Sequence, residues 1–165
     1  MRAFKKPALC FLMFLCMVVT PSFGAVKKAS IVVCAQTGKI HHASNADAIT
    51  HPASLTKMMT LYLVFQALRD GRLSFDKKLP VSQHATRQKP SNLWLKQGAF
   101  ITVRQAILGL VTKSANDAAV VLAEALGKGS EAQFSKLMTQ QGRKLGMTKT
   151  IFKNASGLPN ISLST

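Results

Sequence analysis

The sequence predicts an α+β fold in which a β-hairpin precedes a helical cluster. Three observations point there: short β-branched runs flank Gln36-Thr37-Gly38-Lys39, the apolar pattern changes to a helical one after Pro52, and two further apolar helical stretches lie between Thr102 and Gly127.

The chain opens with Arg2, Lys5 and Lys6, runs through apolar residues from Ala8 to Val19, and reaches "TPSFGA", where Ser22 and Gly24 are spaced for cleavage. This is a secretory signal pattern, with cleavage expected after Gly24. The apolar run is about 12 residues against the roughly 20 that a helix needs to span a bilayer core, so no transmembrane helix is expected once the signal is removed. Cys16 follows Leu15, where a lipid-attachment site would want a small residue. The expected organisation is a signal peptide over 1–24 and one domain over 25–165, exported to the periplasm or the envelope exterior.

The first elements are strands near Ser30–Ala35 and Lys39–Ala43, with Gly38 taking the positive φ that a tight hairpin needs. Loss of the leader removes Cys10 and Cys16 and leaves Cys34 alone in "SIVVCA". One cysteine makes no internal disulfide, and a small buried hydrophobe on a strand is its expected role. From Leu55 to Leu68 apolar residues fall almost all round a helix, until Arg69-Asp70-Gly71 stops it. That pattern predicts a helix buried in a cluster. Leu73 to Gly98 shows turn residues and no sustained period, so a long excursion with room for one short strand is expected, and such loops are often functional. A helix then starts after Thr102 and runs through Val111 until Lys113-Ser114 breaks it, another covers Asn116 to Leu126 with a stop at Gly127, and a further one begins after Ser130 and closes at a C-cap at Gly146. The tail "TKTIFKNASGLPNISLST" is extended and turn-rich.

The chain holds 22 Lys+Arg against 6 Asp+Glu, a net charge of +16. Such a balance favours anionic surroundings. The basic residues stand singly or in pairs, without aromatic interleaving, which argues against nucleic acid. His41, His42, His51 and His84 make no zinc-ligand spacing, so neither metal nor cofactor is expected.

The candidate chemistry lies in "HPASLTKMMT". Pro52 pre-sets a first helical turn, so Ser54 falls at a helix N-terminus and Lys57 one turn later on the same face. A serine hydroxyl is a weak nucleophile until a base takes its proton, and a lysine amine is that base if burial lowers its pKa. The plainer alternative makes Ser54 a cap and Lys57 a solvated cation. About 60 residues later, Lys113-Ser114-Ala115-Asn116-Asp117 separates two apolar helices. Ser114 with Asp117 resembles a capping pair, but capping does not call for Asn116.

These segments, "HPASLTKMMTLYLVFQAL", "GAFITVRQAILGLVTKSANDAAVVLAEALG" and "FSKLMTQQGRKLGMTKTIFKNASGLP", together resemble the serine-type D-alanyl-D-alanine carboxypeptidases, the low-molecular-weight penicillin-binding proteins, in order and spacing. The resemblance implies the β-lactamase/DD-peptidase-like fold and acyl transfer from a peptidoglycan stem peptide ending in D-Ala-D-Ala, with β-lactams as acylating inhibitors. By position it makes Ser54 the nucleophile and Lys57 the general base. It makes Ser114 a proton relay toward the leaving amine and Asn116 a partner of both Lys57 and the substrate backbone. The Ser54 N–H would be one of two oxyanion donors, and Arg87 and Ser91 would lie at the site mouth.

The third motif of that family, Lys-Thr-Gly, does not occur after Asn116, and "KNASG" matches a different family segment. The expectation is therefore a C-terminally truncated domain: hairpin and helical cluster present, last sheet strands absent. Losing one oxyanion donor costs about 10² to 10³ in rate, so these 165 residues alone are expected to be a poor or inactive catalyst. The competing readings are a non-catalytic, cationic wall-binding fragment, one segment of a split gene, or a class A β-lactamase-like hydrolase. Against the last, the motif is Ser-Ala-Asn, and Glu124 and Glu131 do not stand where a deacylating base belongs.

Overall fold

The computed structural model describes residues 28–159, so the expected signal segment lies outside the described residues. The described chain falls into two units that divide after Ala48.

The first unit is a hairpin. Strands β1 (Ser30–Val33) and β2 (Ile40–Ser44) pair antiparallel, Ser30 opposite Ser44 and Ile31 opposite Ala43. Gly38 takes φ 70° in the turn, where its N–H donates to the Cys34 carbonyl at 2.9 Å. The second strand is displaced by one residue from expectation, and the first is shorter than expected because this turn starts at Cys34. That residue therefore lies one position past β1, half-buried, and its thiol donates to Gln36 Oε1 at 3.3 Å. It is not the buried strand residue the sequence suggested.

The second unit is the helical cluster. Helix α1 (Thr56–Arg69) follows a single 3₁₀ turn, Ala53–Leu55. Strand β3 (Lys78–Pro80) pairs with β4 (Phe100–Thr102), and the short helix α2 (Gln83–Thr86) lies between them. Thus the excursion holds the one short strand expected and a short helix that the sequence did not reveal, and the partner strand β4, just beyond Gly98, was not foreseen either. Thr102 closes β4 and caps α3 (Val103–Lys113): its hydroxyl accepts from the Gln105 backbone N–H, and the Gln105 side-chain Oε1 accepts from the Thr102 N–H. This reciprocal box satisfies two donors that the first helical turn leaves open.

Helix α4 (Asn116–Leu126) forms the centre, with every residue from Asn116 to Ala123 buried. Its alanines at 118, 119 and 123 let α1, α2, α3 and α5 (Glu131–Lys144) approach on different sides. Phe134 and Met138 of α5 are fully buried in this core, and burial of each such side chain stabilises the fold by about 1.5–3 kcal/mol. Gly109 in α3 is required by close packing, because a Cβ there would stand 2.6 Å from Leu93 Cδ1.

Helix α1 departs from expectation. Met59, Thr60, Val64 and Ala67 are buried, while Leu55, Met58, Tyr62 and Phe65 form an exposed apolar stripe on the opposite side. The near-continuous apolar pattern marks two faces, and α4 and α5 cover one of them. No described helix is long and apolar enough to cross a membrane.

Candidate functional site

The site is built at the start of α1. Ala53 adopts φ 47°, a left-handed conformation that costs an alanine about 1–2 kcal/mol. The turn exposes Ser54, whereas Lys57, one turn on, is only 4 % exposed. Lys57 Nζ lies 3.1 Å from Ser54 Oγ and donates to the Ser156 carbonyl at 2.8 Å. Burial of the amine lowers its pKa from 10.5 to about 8. The predicted pairing of an accessible hydroxyl with a desolvated amine is present.

The segment that supplies Ser156 is shaped by its own sequence. Asn154 Oδ1 accepts the N–H groups of Ser156 and Gly157 at 3.2 and 2.7 Å, closing a tight turn. Gly157 has φ 81° and passes so close to the Ser54 turn that a Cβ would stand 1.9 Å from the Ala53 carbonyl oxygen. From α1, Thr60 Oγ1 donates to the Ala155 carbonyl at 2.8 Å.

Ser114 and Asn116 lie at the junction of α3 and α4. Ser114 takes the left-handed conformation, φ 55°, as the C-cap of α3. The expected capping pair with Asp117 is not formed: the residue before α4 is Ala115, which has no side chain to cap with, and Asp117 Oδ1 accepts from the Ala118 N–H at 2.8 Å rather than pairing with Ser114. Asp117, nearly fully buried, accepts the N–H groups of Leu93 and Leu95 at 3.0 and 3.2 Å. Asn116 donates its side-chain amide to the Lys89 carbonyl at 2.8 Å and its backbone N–H to the Ser91 carbonyl at 2.7 Å. Among the described residues no hydrogen bond joins Ser114 or Asn116 to Lys57. Asn116 and Asp117 instead strap residues 89–95 onto the start of α4, with Asn92 Oδ1 accepting from the Asp117 N–H. Ser91 is half-buried within this strap, and Arg87 is exposed just before it.

Both glutamates weighed as deacylating bases are engaged in structural contacts. Glu124 Oε1 accepts from the Ser82 hydroxyl at 2.9 Å, and Glu131 Oε1 accepts from the Ala155 N–H at 2.9 Å. Among the described residues no group of three or more His, Cys, Asp or Glu side chains could hold a metal ion.

Sequence reasoning missed the Ser156 carbonyl, the close approach of Gly157 and the clamping role of Asp117. The Asn-x-Ser-Gly order at 154–157 signals a turn, but nothing in it signals a lysine contact.

An exposed hydroxyl beside a dry amine, on a helix start within an α+β frame, has the elements of a serine acyl-transfer centre. A family model described as D-alanyl-D-alanine carboxypeptidase matches residues 18–165, and the chain belongs to that family. It is similar to the D-alanyl-D-alanine carboxypeptidase DacF of Bacillus subtilis, with 36% identity over 131 residues covering 79% of this chain and 33% of that protein. The carboxypeptidase DacC of Escherichia coli is 35% identical over 147 residues, 86% of this chain and 36% of the relative. Among solved structures, the carboxypeptidase DacD from Francisella tularensis aligns with a TM-score of 0.77 and 39% identity over 80% of this chain and 32% of that one. Penicillin-binding protein D2 from Listeria monocytogenes, in its ampicillin-bound form, aligns with a TM-score of 0.72 and 36% identity over 87% of this chain and 57% of that one. The predicted penicillin-binding fold is therefore present in the part described, and the chain spans about a third of the length of the curated relatives it matches.

Proposed function

We propose that the chain carries the acylating centre of a serine-type D-Ala-D-Ala carboxypeptidase acting on peptidoglycan stem peptides. Ser54 Oγ attacks the carbonyl carbon of the terminal D-Ala-D-Ala bond while Lys57 takes the hydroxyl proton. The Ser114 hydroxyl passes a proton to the departing amine, D-Ala leaves, and water later hydrolyses the ester on Ser54. The Ser54 N–H faces the developing oxyanion. Asn116 shapes the substrate path by holding Lys89 and Ser91, with its carboxamide oxygen directed to the substrate backbone. The leader pattern of residues 1–24 supports export to the periplasm or envelope exterior, where such a substrate resides.

One observation carries this reading: Lys57 Nζ, with its pKa brought down to about 8 by burial, stands 3.1 Å from an exposed Ser54 hydroxyl. A solvated lysine would be almost wholly protonated at neutral pH, whereas this amine is neutral in a useful fraction of molecules. β-Lactams, which mimic the D-Ala-D-Ala terminus, enter at the same serine.

The test is incubation of the 165-residue chain with a fluorescent penicillin, followed by mapping of the labelled peptide. Labelling confined to Ser54 and lost in Ser54→Ala is the expected result. Labelling that survives Ser54→Ala would overturn the assignment.

A further inference from the structure

Glu131 opens α5, where a carboxylate is favoured by the helix dipole alone. Its side chain is only 13 % exposed and does more than that. Oε1 accepts the Ala155 N–H at 2.9 Å, and Oε2 meets His84 Nε2 at 2.6 Å. The same Ala155 offers its carbonyl to Thr60 Oγ1 at 2.8 Å, and the next carbonyl, that of Ser156, receives Lys57 Nζ at 2.8 Å. Three consecutive peptide groups are thus held, the first by α5 and the next two by residues of α1 one turn apart.

This geometry bears on the amine. A neutral lysine has two N–H bonds and one lone pair, and it can deprotonate Ser54 only if the lone pair faces Oγ. Engaging one N–H with the Ser156 carbonyl takes up one of the three directions at Nζ and leaves the lone pair free to face the hydroxyl. The carbonyl must stay in place for this to hold, and the 154–157 segment has no helix or strand of its own to fix it. If the segment lifts, water reaches Nζ and the burial that lowers its pKa is lost.

We propose that Glu131 is a positioning residue of the acylating centre: by holding the Ala155 N–H it sets the Ser156 carbonyl, which orients the Lys57 amine and keeps it dry. Glu131 touches neither the nucleophile nor the substrate, and its effect passes through the backbone of 155–156. The inference rests on the reading of Ser54 and Lys57 as the acylating pair.

The experiment is an NMR titration of the Lys57 side chain in the full chain, assigned with Lys57→Met, for two variants. Glu131→Asp keeps the charge but shortens the reach, and Lys57 is expected to titrate well above 8, toward 10.5. Glu131→Gln drops the charge but keeps an acceptor oxygen for Ala155, and Lys57 is expected to stay near 8. An unchanged titration in Glu131→Asp overturns the proposal, and so does a shift in Glu131→Gln as large as that in Glu131→Asp. Penicillin labelling run in parallel separates the two claims. Absent labelling with a responsive Lys57 removes the proposed function and leaves the linkage, while labelling with an unresponsive Lys57 removes the linkage alone.

Discussion

Gly157 and Ala53 meet backbone to backbone, with no room for a methyl group between them. Ala53 is the residue before the exposed hydroxyl, and its left-handed φ is held in part by this contact. Gly157→Ala would force a left-handed alanine and push its Cβ into the Ala53 carbonyl. The expected loss is about 2–4 kcal/mol in urea unfolding, together with at least tenfold slower Ser54 labelling. Unaltered labelling in a stably folded Gly157→Ala would show that the turn geometry is not set here.

The Lys57 pKa fixes two pH dependences. Acylation requires the neutral amine, so the labelling rate should rise with pH and level off with a midpoint of about 8. Stability follows a different window. The folded chain releases this proton at about 8 and the unfolded chain at 10.5, so between those values the unfolded state binds more protons. Stability attributable to Lys57 therefore increases with pH from about 8 to 10.5, and below 8 its contribution is flat and least favourable. The difference between wild type and Lys57→Met in unfolding free energy, measured across that range, isolates this slope.

Asp117 holds the strap through two backbone N–H groups of residues 93 and 95. Asp117→Asn replaces one acceptor by an amide that has nothing to donate to there, at an expected cost of about 1–3 kcal/mol. Trp94, the only tryptophan and 70 % exposed, lies between the two tethered residues. Its fluorescence anisotropy should fall in Asp117→Asn before global unfolding begins, and a value equal to wild type would place the anchor elsewhere.

Thr102→Ala removes the α3 cap far along the chain from the reactive pair. Stability should drop by about 1 kcal/mol while the Lys57 titration stays where it is. A displaced titration would mean that loosening any helix disturbs the amine.

Helices α1, α3 and α5 were legible from their own punctuation, Pro52 ahead of α1, Thr102 at the start of α3 and Ser130 at the start of α5, and α4 from its apolar run and the stop at Gly127, whereas the single turn of α2 is too short to show a period. Ser54 and Lys57 were legible for the same reason, since residues three apart on a helix must share a face. The remainder depended on partners distant in sequence. The Ser156 contact uses a backbone carbonyl, which every residue possesses, so its type carries no signal. Asp117 read as a cap because its spacing from Ser114 fits one, yet the unpaired N–H groups of the 93–95 strap claimed the carboxylate. Strand β4 is too short for alternation to declare itself, and the two faces of α1 share one composition although only one is covered.

The Lys57–Ser156 hydrogen bond joins positions 99 apart in the chain. Until residues 154–157 have closed over α1, the lysine is bathed in solvent and keeps its proton, and the serine beside it is an ordinary alcohol. The pair thus becomes reactive only once a contact between distant parts of the chain has formed, the kind of contact whose loop-closure cost must be met first.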